Sequence, residues 1–217
     1  MHRAKPLPDT LAQRYRDWRA GQFEPQREAY RRLVAEGQHP SAMIVACCDS
    51  RVMPSSIFGA GPGEFFTHRN IAALVPPCES ETGGLHGTSA TVEFAVTALE
   101  VSHLIVMGHS SCGGVKGCHD MCAGLAPQLA DGTSFVGRWM ELLRGGYEEV
   151  AGIPDEAERL RALEHQAVLT SLSNLMTFPF VAERVERGSL ALHGLWTDIA
   201  EGRLHGWDPA RGSFAPI

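Results

Sequence analysis

Two short stretches carry side chains able to do chemistry together: Cys47-Cys48-Asp49-Ser50-Arg51 and His109-Ser110-Ser111-Cys112-Gly113-Gly114. Between them they offer the sulfurs of Cys47 and Cys112, the imidazole of His109, and a carboxylate, Asp49, two positions from Arg51. Two thiolates and one imidazole suit zinc, and three protein ligands leave a fourth position for water or substrate. That is the ligand count of a catalytic site rather than of a closed structural one. His109 and Cys112 are three apart, so one turn can bring both to a single ion. The glycines that follow would open a helix, whose N-terminal dipole favours a thiolate and whose N–H groups, Gly113 among them, can approach an anion closely.

In an extended segment Asp49 and Arg51 face the same way as Cys47. A carboxylate beside an open metal position can act as ligand, as proton acceptor, or as orienter of a bound hydroxide. Arg51, always charged, would hold Asp49 ionised and draw it off the metal through a bidentate pair. Other chemical groups read more plainly. Cys48 points opposite to Cys47 by strand alternation and is expected to pack. Cys118-His119-Asp120-Met121-Cys122 lacks the usual metal-ligand spacing, Cys78 carries no role, and the remaining histidines, His68, His86 and His103 among them, stand as singletons.

These groups must be delivered by secondary structure. Residues 42–46 form a continuous apolar run, as in a strand covered on both faces of a parallel sheet. Residues 64–68, entered through Gly61-Pro62-Gly63, and 103–107 read as two more strands. Between them Val92, Ala95, Val96 and Leu99 mark a helix over 88–99, and strand, helix, strand predicts a right-handed crossover. Helices are expected over 135–143, over 155–176, and from Pro179 to near Gly188, with a strand at 190–196. Residues 203–216 resemble an edge hairpin turning at Trp207-Asp208-Pro209. The Gly-, Glu- and Ser-rich stretch 76–87 reads as a mobile surface loop. Ligands of an open parallel sheet collect outside the carboxyl ends of its strands, so both motifs reach one edge if their strands are neighbours.

Upstream, residues of about 9–37 read as a helical arm. Leu11, Tyr15 and Trp18 share a face, Phe23-Glu24-Pro25 interrupts it, and Tyr30, Leu33 and Val34 resume it. Such a stripe packs against the body or a partner subunit. The chain as a whole reads as one domain over 1–217, with this arm followed by an α/β body over about 38–217.

The 217 residues are 44% hydrophobic and 20% charged with a net charge of -6, an ordinary globular composition. Lys and Arg are scattered, which excludes the basic stripe of a nucleic-acid binder. No run has the length of a membrane span and the first residues lack the apolar core of a secretory signal. Six cysteines are too sparse for a disulfide scaffold, so reduced thiols and a cytoplasmic address are expected.

From about Gln38 to Lys116 the chain resembles the β class of carbonic anhydrases, in its plant-like subgroup. The markers are Cys47-Cys48-Asp49-Ser50-Arg51-Val52, Pro62-Gly63-Glu64, His68-Arg69-Asn70-Ile71-Ala72, Val75-Pro76-Pro77 and Gly108-His109-Ser110-Ser111-Cys112-Gly113-Gly114. The resemblance implies one Zn2+ per subunit on Cys47, His109 and Cys112, with Asp49 able to take the fourth position, and Asp49 with Arg51 as a catalytic dyad. It implies reversible hydration of carbon dioxide to bicarbonate by attack of zinc-bound hydroxide oriented by Asp49 and Arg51. Gln38 and Gly113 would bind substrate, and Phe66, Ile71 and Phe94 would line a small apolar pocket, Phe94 standing where a tyrosine is frequent. The implied fold is a mostly parallel sheet of four strands plus an edge strand, flanked by helices, in a homodimer or a multiple of dimers. Hydrolysis of carbonyl sulfide or carbon disulfide on the same scaffold, and a noncatalytic zinc-binding role, are the alternative readings.

Overall fold

The computed structural model describes residues 3–78 and 86–217. The chain divides into two compact units, residues 1–39 and 40–217. Most of the expected 76–87 loop, residues 79–85, lies outside the described residues.

In the first unit α1 (Asp9–Trp18) runs through a π-helical turn (Arg19–Phe23) into α2 (Glu24–Glu36). The interruption expected at Phe23-Glu24-Pro25 is therefore only a wider turn. Pro25 falls in the first turn of α2, where its missing N–H costs no helical hydrogen bond. The rings of Tyr15, Trp18, Phe23 and Tyr30 stand in a row at centroid spacings of 6.1, 5.6 and 5.0 Å. Gly37, with φ +86°, ends α2, and Gln38 lies exposed just beyond it.

The second unit contains β1 (Ala42–Cys47), α3 (Pro54–Ile57), β2 (Phe65–Asn70), α4 (Gly87–Glu93), β3 (His103–His109), α5 (Gly113–Cys122), α6 (Phe135–Met140), α7 (Arg144–Val150), α8 (Glu156–Leu175), α9 (Pro179–Glu186), β4 (Ala191–Asp198), β5 (Arg203–Asp208) and β6 (Ser213–Pro216). The helix expected over 88–99 gives way to a π-helical turn at Phe94–Ala98, where the Thr97 hydroxyl donates to the Glu93 carbonyl at 2.7 Å. α8 begins where Asp155 accepts the Glu158 N–H at 2.8 Å, an N-cap.

The six strands lie in the order β2-β1-β3-β4-β5-β6. β2, β1, β3 and β4 are mutually parallel, and β5 and β6 add on antiparallel. The edge thus holds two strands where the resemblance implied one. The hairpin turn also falls later than expected. Asp208 is still paired with Ser213, its carboxylate accepts the Ala210 N–H at 2.9 Å, and Gly212 reverses the chain at φ +63°.

Every residue of β1 is buried, so its alternate side chains fill two cores. Met43 and Val45 join Leu104, Val106, Val168 and Val181 on one face, while Ile44 and Ala46 join Val52, Met107 and Leu195 on the other. Gly108 lets α8 approach β3, since a Cβ there would lie 2.7 Å from Val168 Cγ2.

Candidate metal centre

β1 and β3 are adjacent, and the chain leaves them toward opposite sides of the sheet. Their carboxyl ends therefore flank a topological switch point, the crevice where open α/β sheets bind ligands. Cys47 closes β1 and His109 closes β3. Cys112 follows a reversal at Ser111, held at φ +56°, a left-handed conformation that costs a non-glycine residue on the order of 1–2 kcal/mol. The turn is tied down where Ser110 N–H donates to Thr197 O and Ile199 N–H to Ser110 Oγ, both at 2.9 Å.

Cys47, His109 and Cys112, all buried, bring one ligand atom each to within 4.8 Å of the others. The sulfurs of Cys47 and Cys112 stand 3.9 Å apart as free thiols. Two sulfurs bound to one tetrahedral zinc at about 2.3 Å each would be roughly 3.8 Å apart. His109 Nδ1 lies 2.9 Å from the Ser110 carbonyl, to which it donates, leaving the lone pair on Nε2. That Nε2 is buried and has no hydrogen-bond partner. A buried imidazole lone pair clustered with two sulfurs and without a hydrogen-bond partner fits a metal ion.

Without an ion the two thiols share their protons unequally. The Cys112 S–H beside it pulls the Cys47 thiol down to about 4 against the opposing effect of burial, with His109 and the N–H groups of Asp49 and Ala72 assisting. Cys112 is pushed up, first by the Cys47 thiolate and then by burial. The N–H groups of Gly114 and Val115 at the start of α5 do favour its thiolate, as expected, but are outweighed. Burial lowers the proton affinity of His109, yet the Cys47 thiolate, the Ser110 carbonyl and Asp49 together raise it.

Asp49 is not among the clustered ligands, and its Oδ2 is 3.9 Å from His109 Nε2. Its segment turns rather than extends, with Val52 N–H bonding Asp49 O at 3.1 Å. Arg51 Nε and Nη2 donate to Asp49 Oδ1 and Oδ2 at 2.9 and 2.7 Å, and the Arg51 backbone N–H adds a third bond at 2.9 Å. The Arg51 side chain holds the Asp49 carboxyl below the usual carboxylate range, with burial opposing. Arg51 Nη2 also donates to Ser111 O at 3.1 Å, so one guanidinium ties both motif loops.

Cys48 is exposed rather than packed, because the strand ends at Cys47 and alternation no longer applies. With Ile71, Asn70, Phe135 and Trp139 it lines a cleft of about 440 Å3. Phe66 and Phe94 pack on each other at 5.8 Å and are not among the residues lining that cleft. Gly113 starts α5 with open space where a side chain would be, while a Cβ on its neighbour Gly114 would meet Ile71 Cγ2 at 2.6 Å.

Two positioning residues escape a reading by motif. Arg69 donates to the carbonyls of Cys47, Asp49 and Val52 at 2.9, 2.7 and 2.7 Å and so shapes the first loop. Its place in His68-Arg69-Asn70 was a signal. Glu164, buried in α8, accepts the Cys112 N–H and the Trp196 indole N–H, each at 3.2 Å. A lone glutamate on a helix gives no such signal. Elsewhere, His119 is satisfied by Arg159 at 3.1 Å and Asp120 at 3.0 Å, a structural role. His103 and His193 are not singletons but bond each other at 3.0 Å.

A mostly parallel sheet with a cysteine, histidine and cysteine at its switch point and an arginine-clamped aspartate beside them defines an α/β protein with a cluster that could hold a metal ion. The family model described as carbonic anhydrase matches residues 42–204, and the chain belongs to that family, in its β class. It is 33% identical over 202 residues to beta carbonic anhydrase 5, chloroplastic, of Arabidopsis thaliana, covering 92% of this chain and 64% of that protein. The chain thus spans a little under two thirds of the length of that relative. Among solved structures it is similar to the beta-carbonic anhydrase CcaA, with 31% identity, a TM-score of 0.85, and coverage of 96% of this chain and 91% of that one. It is also similar to one of two tetrameric beta-carbonic anhydrases from Sordaria macrospora, with 29% identity, a TM-score of 0.75, and coverage of 95% and 98%.

Proposed function

We propose that the protein catalyses the zinc-dependent, reversible hydration of carbon dioxide to bicarbonate and a proton. The observation that carries this reading is the unpartnered His109 Nε2 facing the Cys47 and Cys112 sulfurs beside an arginine-locked carboxylate. Cys47, His109 and Cys112 would hold one Zn2+ per subunit. When bound, the ion supplies Lewis acidity that makes a hydroxide nucleophile available near neutral pH.

The remaining work falls to the chain. Asp49, kept ionised by Arg51, has only acceptor oxygens. Its Oδ2 can take a hydrogen bond from the O–H of the attacking nucleophile and so fix the remaining lone pair toward the carbon of CO2. The 2.7 Å bond from Arg51 holds Asp49 in that task and away from the sulfurs. The cleft containing Ile71 and Trp139 offers the apolar surroundings a neutral, linear substrate prefers. Gly113 N–H, at the start of α5, is assigned to the anionic product. The family resemblance assigns Gln38 to the same product, contributed across a subunit interface.

The exposed row of Tyr15 and Trp18 supports an assembly of identical subunits, proposed as a homodimer or a multiple of dimers. We also propose a cytoplasmic address, since six cysteines without a disulfide suit a reducing compartment. The plant relatives carry chloroplastic and mitochondrial addresses in their names. Among the described residues, no helix is long and apolar enough to cross a membrane.

The test is stopped-flow CO2 hydration across pH on protein with quantified zinc. The rate should scale with zinc content and rise with pH. Fully zinc-loaded protein that leaves the uncatalysed rate unchanged would overturn the assignment.

A further inference from the structure

A second cleft, of about 280 Å3, opens between α8 and the β4–β5–β6 edge of the sheet, and none of the proposed metal ligands lines it. Its chemistry is different. Two imidazoles face it, His165 from α8 and His205 from β5, and each has a buried nitrogen, His165 Nε2 and His205 Nδ1, without a hydrogen-bond partner. Buried polar atoms are rarely left unpaired, and two in one cleft point to a missing partner. Two guanidiniums, Arg161 and Arg203, line the same cleft. Arg203 meets Glu201 only at 3.4 Å, and Arg161 has no carboxylate partner among the described residues.

Asp198 is the acid among the lining residues, but its Oδ1 accepts the N–H groups of Ala200 and Glu201 at 2.9 and 3.2 Å. Its charge is thereby directed to its own turn, and with Glu201 beside Arg203 the guanidinium left without a carboxylate among the described residues is that of Arg161. Burial, then the Arg161 charge, then His205 push the His165 pKa down to about 4. A neutral His165 has a proton to offer from one ring nitrogen. The imidazole is also held in place, stacked on Phe214 at 4.4 Å and met edge-on by Trp196 at 5.1 Å. Imidazole nitrogens able to carry an N–H, in a cleft also lined by two guanidiniums, suit an anion, whereas the same guanidiniums repel a metal cation.

We propose that this cleft binds a small oxyanion, a phosphate or carboxylate group, through Arg161 and Arg203 and the N–H groups of His165 and His205. The experiment uses the full, zinc-loaded chain, titrated with inorganic phosphate and, separately, with acetate. Long-range proton–nitrogen spectra follow the imidazole rings. Saturable shifts of the His165 and His205 rings with either anion are expected. The double variant Arg161→Gln, Arg203→Gln should weaken that binding by about tenfold or more at unchanged zinc content and melting temperature. The inference is overturned if neither anion moves the two rings, or if the double variant binds as tightly. Ring shifts with Cd2+ but with neither anion would make the cleft a cation site and overturn it equally.

Discussion

The Glu164 carboxylate holds the backbone N–H of Cys112 at 3.2 Å from the middle of α8, 52 positions along the chain. Its other oxygen takes the Trp196 indole N–H, also at 3.2 Å. One buried acid therefore couples the loop that carries a sulfur ligand to a helix and to β4. Burial raises the pKa of Glu164, with the Cys112 and Trp196 N–H groups opposing, so the acid is kept at this place against its own solvation preference.

Glu164→Ala leaves two buried donors without an acceptor. Each unsatisfied donor costs on the order of 1–3 kcal/mol, so a loss of about 2–6 kcal/mol is expected. Glu164→Gln keeps one acceptor oxygen and should lose less. Urea unfolding of the zinc-loaded proteins measures both, and an alanine variant as stable as the parent would show the carboxylate to be dispensable.

Arg51→Ala removes the bidentate clamp on Asp49 and the bridge to Ser111 O. Neither bond touches a sulfur, so zinc content should hold. CO2 hydration should fall about a hundredfold or more, the scale of a misplaced catalytic group. Zinc analysis and stopped-flow kinetics on the same sample check it. Full activity would remove the dyad from the mechanism.

His165 makes stability depend on pH. Its folded pKa of about 4 lies below the ordinary 6.5, so the unfolded chain takes up the proton first. The contribution is complete above 6.5 and is lost as pH falls toward 4. Discounted for partial exposure it amounts to about 1–2 kcal/mol. Urea midpoints at the two ends of this window, in phosphate-free buffer, should converge for His165→Gln relative to the parent.

Much of this was legible along the chain. The runs at 42–46, 103–107 and 190–196 foretold β1, β3 and β4, because burial on both faces of a parallel sheet demands unbroken apolar stretches. The helical spacing that begins after Pro154 foretold α8, and Asp155 caps its start because capping is local chemistry. The cysteine, histidine and cysteine could be paired before any fold was known, since ligand type and strand-end position are both written locally.

What only the tertiary structure decided depends on distance between remote residues. That the two sulfurs compete for a proton follows from a 3.9 Å separation across 65 positions. Glu164 and Arg69 became positioning residues because α8 and β2 happen to pass the metal loops within hydrogen-bond reach. The orphan imidazole nitrogens of His165 and His205 come to one cleft only because α8 packs beside the β4–β5–β6 edge. Hydrophobic period and capping are properties of neighbours in sequence, whereas electrostatics and hydrogen bonding act through space, and the fold alone sets those distances.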